Sequence, residues 1–281
     1  MPRTDFRKGI MSTTPPNGVI ERVSLSEAWL AVLSLLNAST HSDAPLAVSF
    51  TGFNAEGLPL ESQAVRERLD QELKKCGAES TETCAAMIFP LGNVQLMEMR
   101  LNRAISIGEL KDYYLKYVFP RLRALNARAN GRGTYFFRMV NFGADPKIDG
   151  SKGINQLGEL IKVWQRNKNI VQSRLQIAIR DPGQDLTGNP RPLFPCLQQV
   201  SFAYDKSGGI SVTGYYPSQY IVDRAYGNYL GLAHLGWFMA RQMKRRLVRV
   251  NCICAHPLIG AKTSGKAELY QAFAKLAEEH D

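Results

Sequence analysis

The chain has 281 residues, 44% of them hydrophobic, enough to bury a sizeable core as one large domain or two small ones. No apolar run reaches the roughly 18 residues of a membrane span, and the basic, polar start over residues 1–18 lacks the apolar centre of a signal peptide. The formal charge of +10 favours anions, nucleotides and nucleic acids alike, without choosing between them. Five scattered cysteines, an odd number, suit a reduced cytoplasmic protein better than a disulfide framework.

Residues 1–18 read as a disordered basic lead and residues 19–281 as a single domain. Residues 26–36 read as an amphipathic helix, capped by Ser24 or Ser26, with Ala28, Trp29, Val32, Leu35 and Leu36 at helical spacing. Residues 45–53 read as a strand, 64–75 as a charged helix, and 85–99 as an apolar strand-like stretch broken at Pro90-Leu-Gly92. A long helix over 107–126, interrupted near Pro120, precedes an aromatic strand over 134–140 and a helix over 154–166. A short strand over 175–179 follows. Residues 196–204 and 210–216 alternate in polarity and are joined by Ser-Gly-Gly at 207–209, the signature of a hairpin. An apolar helix over 229–244, a strand over 248–255 and a last helix over 267–279 complete the chain. This mixture gives an α+β class rather than a regular βαβ alternation. Trp29, Tyr113 and Arg138 are pocket or core candidates. Walker and dinucleotide fingerprints are absent.

Six short segments carry more than periodicity. Gly153-Ile-Asn-Gln-Leu157 opens a helix, and Gln172-Ser-Arg174 leads to Arg180-Asp-Pro182. Pro195-Cys196 is followed by Tyr216-Pro-Ser-Gln-Tyr220; Asn228 opens the apolar helix that ends Met239-Ala-Arg-Gln242; His256 comes last. In this order and spacing they resemble the thymidylate synthase and pyrimidine hydroxymethylase superfamily over about residues 153–257. Before Tyr135 the resemblance is faint. It implies a thymidylate synthase-like fold, a mixed β-sheet packed with long helices, in a homodimer. It also implies a one-carbon transferase that moves methyl or hydroxymethyl to carbon 5 of a pyrimidine nucleoside monophosphate.

The same resemblance implies roles. Cys196 would add as a thiolate to carbon 6, turning carbon 5 into an enolate-like centre; the bland alternative is a buried structural thiol. Arg174 would reach the nucleotide phosphate across the dimer, against the alternative of a plain surface arginine. Ser218 matches a phosphate-loop serine. Asn228 matches the amide that reads the pyrimidine edge and tilts the reading toward uracil, unless it is only an N-cap. His256 matches a ribose contact, or is structural.

Departures accompany these matches. Leu175 stands where a second arginine is expected, Pro217 where the phosphate loop has an arginine, Leu197 where a histidine follows the nucleophile, and Leu258 where a tyrosine is expected. Tyr220 replaces the aspartate that anchors a folate pterin, so a reduced folate is a doubtful cofactor. The alternative is a degenerate homologue that holds a nucleotide as sensor or scaffold. Arg224 or Arg180 is a candidate to replace the lost charge. Cys252 and Cys254, spaced Cys-x-Cys, read as core rather than as a metal site. The basic run over 241–249 reads as a solvated helix end rather than a nucleic-acid face, so nucleic acid is the less expected partner.

Overall fold

The computed structural model describes residues 18–38, 45–167, 169–188, 195–260 and Phe273. The lead expected over 1–18, Gly18 apart, and the helix expected over 267–279, Phe273 apart, lie outside these residues. In chain order the elements are β1 (Val19–Arg22), α1 (Leu25–Ala38), β2 (Leu46–Phe50), α2 (Gln63–Lys75), α3 (Thr81–Ile88), α4 (Leu91–Leu101), α5 (Ile107–Tyr113), α6 (Phe119–Leu125), α7 (Ala127–Asn130), α8 (Tyr135–Val140) and α9 (Gln156–Arg166). Then come β3 (Gln176–Ala178), α10 (Pro182–Asp185), β4 (Gln199–Tyr204), β5 (Gly209–Tyr220), α11 (Tyr226–Gln242) and β6 (Arg246–Leu258). The class is α+β, as the sequence predicts.

Six strands form one mixed sheet in the order β1-β2-β6-β5-β4-β3. β4 and β5 are the antiparallel hairpin expected around Ser207 to Gly209. β5 and β6 are parallel, joined through α11, and β6 in turn pairs antiparallel with β2. One face of the sheet carries the core: Val48, Phe50, Val200, Phe202, Val212, Tyr216, Val250, Cys252 and Cys254 are all buried. Trp29 is buried with them, and its indole N–H donates to the Ile221 carbonyl at 2.9 Å. The alternate face holds small or half-covered residues, among them Ala47, Ser49, Ser201, Thr213 and Asn251, with Tyr215 and Ile253 exposed.

α11 lies against this core almost wholly buried, which explains its lack of an amphipathic pattern. Its glycines let α3 approach closely. A Cβ on Gly227 would sit 2.6 Å from the Thr81 carbonyl oxygen, and one on Gly231 2.7 Å from that of Ala85.

Two expected strands are helices. Residues 85–99 fall in α3 and α4, because Ser80 caps the first by accepting from the Thr83 N–H and Pro90 separates the two. A short apolar run has no period to distinguish strand from helix. Residues 134–140 likewise form α8: the Thr134 hydroxyl accepts from the Phe137 N–H, and Phe136 and Phe137 pack on Phe89, Tyr114 and Phe119. Tertiary packing overrides the β-propensity of the aromatics. The helix expected over 107–126 is α5 and α6 joined by a π turn over Tyr114–Val118, just ahead of Pro120. Pro120 has no N–H to give to the i−4 carbonyl, and a change of ladder absorbs that loss.

Three of the five cations in the basic run engage the protein itself. Arg241 pairs with Glu98 and stacks on Trp237; Arg245 lies over Trp164 and Tyr204; Arg249 pairs with Glu21. No described helix is long and apolar enough to cross a membrane.

Candidate active site

A cavity of about 380 Å³ opens where α3, the 129–135 loop, the start of α11 and the end of β5 meet. That volume lies within the range of sites that hold small metabolites. Its wall includes Cys196, Asn228, Tyr135, Arg224, Gln219 and Glu79. Arg132, Cys84 and Tyr220 also border it.

Cys196 precedes β4 in an exposed turn that its neighbours fix. Leu197, where the resemblance expects a histidine, is fully buried against the core, and the Gln198 N–H donates to the Tyr215 carbonyl at 2.9 Å. The thiol is therefore held at the cavity wall by an apolar anchor on one side and a strand hydrogen bond on the other. Burial of the sulfur raises its pKa above the ordinary thiol value, and the Arg224 guanidinium opposes that rise. Tyr135 stands beside it: burial raises the phenol, the Cys196 thiol raises it further, and backbone N–H groups at Leu197 and Cys196 act to lower it.

Arg224 belongs to a π turn over Ile221–Ala225 that leads directly into α11. Its Nη1 donates to Glu79 and to the Cys84 sulfur, the latter at 3.1 Å. Glu79 thus holds one guanidinium next to both cavity thiols. Removing that charge takes away the one influence that lowers the Cys196 thiol. Arg224→Gln should therefore slow alkylation of Cys196 by iodoacetamide severalfold at neutral pH, with the loss shrinking as pH rises and native thiol ionises on its own. Mass-spectrometric rates at Cys196 check this; an unchanged rate would show that Arg224 does not reach the sulfur.

Asn228 is buried in the first turn of α11, bordering the same cavity. It is not an N-cap, because the helical path already begins at Ile221. Thus two of the five residues singled out in the sequence, Cys196 and Asn228, meet in one place. Ser218 is half-buried on β5 and sits in register with His256 of β6, which is exposed; neither borders the cavity. Arg174 lies exposed on a short 3₁₀ turn ahead of β3, away from it.

No family model and no curated protein matches this chain.

The residues that sequence reasoning missed are Tyr135, Glu79, Cys84, Arg132 and Gln219. A Pro-Cys pair in a known order drew attention to Cys196, whereas these five come from three segments that only the fold assembles. Glu79 is the one carboxylate among the described residues bordering the cavity, and Arg224 occupies it. Tyr220 supplies none. Among the described residues the cavity therefore does not present the free carboxylate that a reduced folate would need. Cys252 and Cys254 are buried on β6, and no cluster of three or more metal-ligating side chains occurs among the described residues.

Proposed function

We propose that this protein is a divergent thymidylate synthase-like enzyme that activates carbon 5 of a pyrimidine nucleoside monophosphate through a covalent Cys196 adduct. One observation carries the reading: a cysteine and an amide picked out by motif border the same nucleotide-sized cavity. In the first step the Cys196 thiolate forms a C–S bond at carbon 6. The ring electrons move to carbon 5 and its neighbouring carbonyl, and Arg224 favours the thiolate that starts the step. Asn228 would hold the pyrimidine edge. Carbon 5 then takes a methyl or hydroxymethyl group from an electrophilic one-carbon donor other than a conventionally anchored folate, the donor's remainder leaving with its bonding pair. Loss of the carbon 5 proton then re-forms the 5,6 double bond and breaks the C–S bond, returning the Cys196 thiolate.

Thiolate addition labilises the hydrogen on carbon 5 whatever the donor. Uridine and cytidine monophosphates and their deoxy forms, incubated in heavy water, should therefore lose that proton's NMR signal for the accepted base. Folded protein that exchanges none of the four would leave the second reading, a nucleotide-holding relative without turnover. The raised Cys196 thiol is the observation that favours it.

The homodimer belongs to the proposal. The half-covered sheet face offers small side chains around the exposed Tyr215 and Ile253 for a second copy, and Arg174 stands at the outer edge of that sheet. The chain should sediment as a dimer, and Arg174→Ala should weaken nucleotide binding in it. A monomeric mass, or unchanged affinity, would remove the role across subunits.

A further inference from the structure

Buried polar atoms normally find partners, and the exceptions are informative. Among the described residues, those left without a hydrogen bond include the Arg132 Nη1 and the Gln219 Nε2, and these are the two that border the Cys196 cavity. Both are donors. Gln219 is 2% exposed. Its amide is oriented by Cys252, whose S–H donates to Oε1 at 3.7 Å. Burial pushes the Cys252 thiol well up, so it keeps its proton and remains a donor. With Oε1 so engaged, the NH₂ end is the one left to meet a ligand.

Arg132 is fixed from behind. Its carbonyl accepts from Nε and Nη2 of Arg138, at 3.1 and 3.0 Å. The nearby Asp185 feels the Arg132 charge, but both its oxygens are taken by Arg138, and the Asp181 N–H adds a third donor. Arg224 is likewise committed, to Glu79 and Cys84. Arg132 and Gln219 thus border the cavity with a guanidinium nitrogen and an amide NH₂ that have no acceptor of their own, both closed off from solvent behind the wall, so that a ligand meets them once the side chains turn inward.

We infer that Arg132 and Gln219 are ligand-contacting residues, Arg132 taking an anionic group and Gln219 a carbonyl oxygen of the same molecule. The inference rests on the pyrimidine nucleotide reading for its choice of ligand: phosphate for Arg132, a ring carbonyl for Gln219. It places an anion anchor on the protein's own chain, whatever Arg174 does in a partner.

Calorimetric titration would compare uridine 5′-monophosphate and its 2′-deoxy form with the matching nucleosides, against native protein, Arg132→Gln and Gln219→Met. Thermal melting would certify that each variant is folded. A charge-assisted hydrogen bond should make the native protein prefer nucleotide to nucleoside by about tenfold to hundredfold. Arg132→Gln should erase that preference, while Gln219→Met should weaken nucleotide and nucleoside by the same factor. A preference surviving in Arg132→Gln, or native affinity in folded Gln219→Met, overturns the corresponding assignment. If no uridine compound binds, inorganic phosphate separates the two ideas. Stabilisation of native protein by phosphate that is lost in Arg132→Gln keeps the anion anchor and sinks the choice of uracil as the base. No effect of phosphate either sinks both.

Discussion

Replacing Arg138 by methionine should cost about 3–5 kcal/mol of stability, the usual penalty for stranding one member of a buried ion pair. In a chain of this length that lowers the melting temperature by on the order of 10 °C. Arg138 and Asp185 are both buried and meet through two hydrogen bonds of 2.6 and 2.8 Å. The guanidinium also donates to the carbonyls of Ile179 and Arg132, so it ties the end of β3, α10 and the cavity loop to α8. Burial alone would raise the Asp185 carboxyl, but the hydrogen bonds and charge of Arg138 bring it below the ordinary value. Because the folded pKa is depressed, the pair's contribution is present above the unfolded carboxyl pKa and is lost as pH falls through the folded one. The gap between native and variant should therefore narrow in acid. Adding Asp185→Leu to Arg138→Met should recover most of the loss, since no lone buried charge remains. A single variant that melts with the native protein at neutral pH would show that the pair carries no such weight.

Cys196→Ser should abolish exchange at carbon 5, a loss of about three orders of magnitude or more, because a serine hydroxyl supplies no usable nucleophile where a thiolate does. Nucleotide affinity should change little, since neither Asn228 nor Arg132 is touched. The control is Cys84→Ser. Cys84 borders the same cavity and shares the same arginine, but burial raises its thiol and Arg224 lies directly on its sulfur. That variant should keep exchange within severalfold of native. Exchange that survives in Cys196→Ser and vanishes in Cys84→Ser would move the nucleophile to α3 and undo the motif-based assignment.

The sequence exposes what local pattern can carry. The hairpin around Ser207 to Gly209 is written in alternation and a glycine turn, and α9 in a clean apolar stripe. Patterns fail where a run is short and largely apolar, as at the end of α3 and in the almost wholly buried α8, because too few polar positions remain to mark a period. The site follows the same logic. Cys196 and Asn228 are legible because ordered motifs surround them. Tyr135 is not, because its place beside Cys196 is tertiary, and Arg132 and Gln219 are not, because their meaning depends on which partners they lack. Arg224 lies between these cases: its charge suggests a role, but the clamp by Glu79 and Cys84 is tertiary.

β6 is inserted between β2 and β5, and its contact with β2 joins Arg249 to Ser49, 200 residues apart in sequence. Until those last strand residues leave the ribosome, β1-β2 and β5-β4-β3 are separate ribbons, each with an open edge. Pairing so distant in the chain closes late and slowly. Every cavity residue up to Asn228 is thus synthesised before the sheet that aligns them exists, and a ribosome-bound chain stopped short of β6 is a set of parts without that cavity.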